Sequence, residues 1–190
     1  MRKLRTALWS ISLLLAVSTL ACADEYVWDQ VNDSFIPGNL NSIIHIAPIG
    51  QEFVPSLDYL EVVEVWACDW SDPPADPPTI VVNIYSDHIG GSLMGTSSAV
   101  TLAPAFEGVA TFVFEAVALV PGERYVLEVL RLSGGNGAVG TTGGTDTYPF
   151  GHIIRWGEPD EGTDLWFREG VIAPTAVQQL TWGRLKQLFE

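Results

Sequence analysis

Two runs of acidic side chains are the first places in this 190-residue chain where residue type and spacing could do chemistry. "DWSDPPAD" sets Asp69, Asp72 and Asp76 in a proline-stiffened loop. "EPDEGTD" sets Glu158, Asp160, Glu161 and Asp164 around a glycine. Calcium takes roughly six to eight oxygen ligands, commonly from such loops. The second run is therefore a candidate calcium site, with Glu158, Asp160 and Asp164 as ligands. Neither run has EF-hand spacing, and a solvated acidic loop is the plainer reading of both. Two carboxylates held about 5–10 Å apart can also hydrolyse a glycosidic bond. With 23 acidic residues, however, some pair meets that distance by chance, so the acids alone identify no catalytic pair.

Nucleophilic chemistry finds less support. The chain has no G-x-S-x-G elbow. Its histidines, His45, His88 and His152, are far apart in sequence and lack a local metal-ligand pattern such as H-E-x-x-H. Residues 135–140, "GNGAVG", match G-x-G-x-x-G after a strand-like run. A dinucleotide site needs a helix directly afterwards, whose N-terminus holds the pyrophosphate. The chain continues "TTGGTDTYPFG", which cannot start a helix, so the match reads as a mobile glycine-rich loop.

Aromatic side chains offer a different chemistry. Trp70 and Trp156 flank the two acidic loops, and Tyr148 lies in the Gly/Thr-rich stretch. An exposed ring can stack on a sugar face, so these three are the candidate ligand-binding residues. Packing in a core or at its rim is the competing reading for each, as large aromatics dominate β-sandwich interiors.

The elements that must position these residues have a period of two. "TIVVNIYS" sets Ile80, Val82 and Ile84 against Thr79, Val81, Asn83 and Tyr85. "VATFVFEA" sets Ala110, Phe112 and Phe114 against Thr111, Val113 and Glu115. "YLEVVEVWAC", "RYVLEVLRL", "HIIRW" and "TDLWFRE" read similarly, and turn signals such as "DPPADPP", "DHIGG", "PGE" and "GEPDEG" separate them. Many short strands rich in β-branched and aromatic residues predict an all-β fold, an antiparallel β-sandwich. In the strand after Pro121-Gly122, Tyr125, Leu127 and Val129 share one face. Arg124 and Glu128 fall on the wetter one, where opposite charges can pair across strands. Cys68 reads as a small buried hydrophobe.

The chain's ends differ from its middle. Arg2, Lys3 and Arg5, then the apolar run of residues 7–20, then "ACA" form a secretory signal peptide over residues 1–23, with cleavage after Ala23. Lipidation at Cys22 is the variant, though Thr19 stands where a lipobox has Leu. Residues 24–172 form the sandwich, and cleavage leaves residues 24–190 with six basic and 23 acidic residues, a formal charge of −17. Such a surface repels nucleic acid and anionic lipid and favours cations or neutral ligands such as sugars. Residues 173–190 form a C-terminal tail. There Val177, Leu180, Leu185 and Leu188 fall at helical spacing, a short amphipathic helix or tail that could engage an envelope or sorting partner.

"QEFVPSLDYLEVVEVWACD", "VNIYSDHIGGSLMGTSSAV", "GVATFVFEAVALVPGERYVLEV" and "TDLWFREG" resemble, in that order, the secreted jelly-roll-like β-sandwich modules of environmental bacteria found in proteins with C-terminal sorting signals of the PEP-CTERM type. The resemblance covers roughly Gln51 to Gly170. It implies a jelly-roll shape similar to carbohydrate-binding modules. The ending "TWGRLKQLFE" departs from the Pro-Glu-Pro motif, apolar span and basic end expected of such tails. The sequence thus leads to an exported, non-catalytic β-sandwich at the cell surface, in the periplasm or outside the cell, adhesive or glycan-binding. The alternatives are an envelope-associated structural module without a small ligand and a glycoside-active enzyme using paired carboxylates.

Overall fold

A computed structural model describes residues 25–34, 36–71 and 76–173. The signal segment and the C-terminal tail, with its expected helix, lie outside the described residues, as does Asp72.

Thirteen strands follow one another: β1 (Tyr26–Asn32), β2 (Leu40–Ser42), β3 (Gly50–Phe53), β4 (Tyr59–Asp69), β5 (Thr79–Ser86), β6 (Leu93–Thr96), β7 (Val100–Thr101), β8 (Glu107–Ala118), β9 (Tyr125–Ser133), β10 (Gly137–Gly140), β11 (Ile153–Arg155), β12 (Glu158–Asp160) and β13 (Phe167–Ile172). All pairings are antiparallel. In one sheet β4 is flanked by β8 on one edge. On its other edge lie β13 and β10 in tandem, and these carry β1 and β2 respectively. The second sheet runs β12-β11-β3-β9-β5, with β6 and β7 sharing the far edge of β5. The chain therefore passes repeatedly from one sheet to the other. The orders β1-β13-β4-β8 and β3-β9-β5-β6 are those of an eight-strand jelly roll, to which β2, β7, β10, β11 and β12 are added.

Alternation determines what fills the space between the sheets. Ile80, Val82 and Ile84 of β5, Phe112 and Phe114 of β8, and Leu127 and Val129 of β9 join Phe53, Val63, Val65 and Phe167 in one core. Their alternate neighbours on β8, Val113 and Glu115, face water. Cys68 is buried, and burial, followed by the Glu107 charge, pushes its thiol pKa up.

Two expectations from the sequence need correction. "GNGAVG" is not a mobile loop: Gly137–Gly140 is a buried strand between β2 and β4. The missing Cβ at Gly137 permits close packing, since it would sit 3.1 Å from Ile43 Cδ1. Glu128 is buried rather than wet, because β9 is central in its sheet and Asn83 of adjacent β5 donates to its carboxylate at 3.0 Å. Arg124 does pair across strands, with Glu52 of β3 at 3.2 Å.

Candidate functional site

The β11–β12 hairpin turns through two residues, Trp156 and Gly157, with φ of 53° and 82°. Positive φ at both positions gives a primed turn, which matches the right-handed twist of the flanking strands and favours Asn, Asp or Gly. Gly157 suits it. Trp156 does not, since a bulky L-residue held there costs about 1–2 kcal/mol. Three hydrogen bonds fasten the tip to the segment between β2 and β3. Trp156 N donates to Ile46 O at 2.9 Å, Gly157 N to Pro48 O at 3.1 Å, and the indole Nε1 to His45 O at 3.1 Å. The indole's one donor is thus satisfied and its plane is fixed, yet 64% of the residue remains exposed.

Around this ring lies an open depression of about 450 Å³, lined by Arg155, Trp156, Glu158, Pro159, Asp160 and Glu161. Arg155 also lines a second depression of about 300 Å³, whose wall includes Asn39, Asn41, Thr141 and Gly143. Arg155 therefore borders both hollows. Its Nη1 pairs with Asp160 Oδ2 at 2.9 Å, while its Nε is buried without a partner. Asp160 is further oriented by Gly162 N, which donates to Oδ1 at 3.1 Å.

Trp70 follows β4 and is 52% exposed. Its backbone is anchored by donation to Asn136 O at 2.9 Å. Just before it, the Asp69 carboxylate accepts from Ser71 N and Ala105 N; the Ser71 contacts, opposed by slight burial and helped by Ala105, hold its pKa below the usual value. The same 42–46 segment reaches both tryptophans. Ser42 Oγ donates to Asn136 Oδ1 and accepts from His45 N, and His45 O receives the Trp156 indole. Exposed Ile44 and His45 lie on this segment.

Tyr148, expected beside them, is only 3% exposed. Its ring packs edge-on against Phe167 and Phe150, and its hydroxyl donates to Gln30 Oε1 at 2.9 Å. Burial raises its pKa well above the usual phenol value. It plugs the end of the sandwich and offers no face to a ligand.

The proposed calcium ligands are also separated. Asp164 has no exposed surface. Its carboxylate accepts from Gln51 Nε2 at 3.1 Å, Thr147 N at 2.7 Å and Tyr148 N at 3.0 Å, so it fixes the 145–148 loop against β3 from inside. Glu158 is exposed on β12, and Asp160 is committed to Arg155. Among the described residues, no three acidic, histidine or cysteine side chains are grouped to hold a metal ion. "EPD" is a strand rather than a loop, which puts Glu158 and Asp160 on one face while Asp164 lies in the interior.

Two carboxyl pairs bear on the enzyme alternative. Glu52 and Glu128 share the outer face of adjacent strands β3 and β9. Each is nearly buried and bonded, Glu52 to Arg124 and His152 N, Glu128 to Asn83. Asp29 and Glu169 meet at the β-bulge between β1 and β13, but Glu169 is wholly inaccessible. Burial, followed by the Asp29 charge, pushes its pKa up to about 9. Asp29 is itself held below the usual carboxylate value. Burial opposes this but is outweighed by donation from Ser56 Oγ, Leu57 N and Ser56 N. Sequence reasoning missed this pair, because neither residue lies in an acidic run. The sequon-like Asn32-Asp33-Ser34 is likewise occupied: Asn32 is buried and its amide nitrogen donates to Leu165 O at 2.7 Å.

No protein-family model matches the chain, and no curated protein matches it.

Proposed function

We propose that this protein is an exported, non-catalytic β-sandwich that binds extracellular glycans through the Trp156 platform, with Trp70 as a second contact. One observation carries the reading. The chain keeps a tryptophan at a turn position that suits glycine, asparagine or aspartate, ties down its only polar atom, and leaves its apolar face to solvent. Strained backbone persists where the surroundings enforce it, and it clusters at binding and active sites. A fixed, flat apolar surface beside polar groups is what a sugar ring stacks on. The two hollows bordered by Arg155 suit adjoining residues of an oligosaccharide.

A glycan array, run with and without calcium, tests this. Wild-type protein is expected to bind at least one glycan class without needing calcium. Trp156→Ala is expected to lose that binding while melting within a few degrees of wild type. Failure to bind any glycan, or binding indifferent to Trp156, overturns the reading and favours an envelope-associated structural module.

A further inference from the structure

The hollow beneath Trp156 also has an electrical character. Glu158 and Glu161 line it, both are exposed, and neither forms an ion pair among the described residues. Asp160 is neutralised by Arg155, so the net local charge is negative. The whole chain carries −14, so no long-range field offsets it. An exposed indole face adds its own preference, since the negative face of the ring quadrupole attracts cations. A metal does not fit here, because the fourth acid of the run, Asp164, is spent inside the fold and no three ligating side chains are grouped among the described residues. A ligand that brings its own positive charge, and a ring to stack, satisfies all of these features.

We propose that the Trp156 hollow selects glycans bearing protonated amines, with the ammonium held by Glu158 and Glu161 and the sugar ring stacked on Trp156. This rests on the glycan-binding reading above and names its ligand class. The second hollow suits the uncharged part of such a chain: Asn39 and Asn41 supply neutral hydrogen-bonding groups, and no carboxylate lines it.

The test compares chitosan oligomers with their fully N-acetylated counterparts, which share a backbone and differ in charge. Titration calorimetry at mildly acidic pH and low salt is expected to show the free-amine oligomer binding about tenfold tighter. That is the scale of one exposed cation–π contact plus surface ion pairs. High salt should erode the preference, since screening weakens exposed charge pairs. The double variant Glu158→Gln/Glu161→Gln should bring the two oligomers within about twofold of one another, and Trp156→Ala should lose both. Unfolding melts of each variant check that the fold is intact. Equal or tighter binding of the N-acetylated oligomer overturns the amine selectivity and leaves the glycan reading standing. Lysine-rich peptide bound as tightly as the amino-sugar oligomer also overturns it, because charge alone would then suffice. Loss of Trp156-dependent binding to every glycan overturns the underlying reading as well.

Discussion

Replacing Glu169 by glutamine should change how the stability of this protein depends on pH. Glu169 lies on β13 with no exposed surface, opposite Val63 of β4 and Gln30 of β1. Neither carboxyl oxygen has a hydrogen-bond partner in good geometry, and Asp29 adds a negative charge beside it. The folded protein therefore keeps Glu169 protonated up to about pH 9, whereas its ordinary value is 4.5. The raised value means that the folded state binds one more proton than the unfolded chain between those limits. Its contribution to stability is fully present below about pH 4.5 and is lost as pH rises towards 9. Each pH unit costs about 1.4 kcal/mol, so the change from pH 5 to pH 8 is about 4 kcal/mol. Glutamine has nearly the same shape and does not titrate. Urea unfolding at intervals from pH 5 to pH 9 should show the wild type losing stability relative to Glu169→Gln by about 1.4 kcal/mol per unit. The other titrating groups are common to both proteins and cancel in the difference. Parallel curves over this range would refute the argument, because they require Glu169 to be ionised in the folded protein.

Three further outcomes follow from the same geometry. Asp29→Asn should destabilise by about 1–3 kcal/mol, because the Ser56 and Leu57 donors lose a charged acceptor. Asp29 stabilises above its ordinary value of 3.8 and less as pH falls through its lowered folded value, so the variant should also flatten the acid limb of the urea-derived stability curve. Removing the Asp29 charge should move the Glu169 limb to lower pH in the same measurements. Asp164→Ala should cost several kcal/mol, on the order of 3–5, in urea unfolding, since it strands the Gln51 amide and two backbone N–H groups in a dry site. Trp156→Gly should leave stability within about 1 kcal/mol of wild type, because relief of the left-handed strain offsets the lost indole bond, while removing glycan binding in the array assay.

The period-two pattern by itself determined the fold class. Ile80, Val82 and Ile84, or Phe112 and Phe114, can be buried together only on one face of a strand, and turn residues cut the chain into short lengths. The inward residues of β5, β8 and β9 were therefore legible, as was the burial of Cys68. Tertiary structure decided what alternation cannot express. Glu128 is buried because β9 is central in its sheet, and strand order is a long-range property. Gly137–Gly140 became a strand because β4 and β2 supply partners about 70 and about 100 residues away in sequence, as the register shows. Tyr148 allows both a core and a ligand-binding reading from sequence, and Asp164 a metal-ligand one; the fold turns both inward, Tyr148 donating to Gln30 of β1 and Asp164 accepting from Gln51 of β3. Asp29 and Glu169 are 140 residues apart and share no motif; only the pairing of β1 with β13 brings them together. Local physics writes periodicity and turns into neighbouring residues. The contacts that decide whether a carboxylate is wet, bonded or protonated come from distant segments, and only the closed sandwich brings those segments into contact.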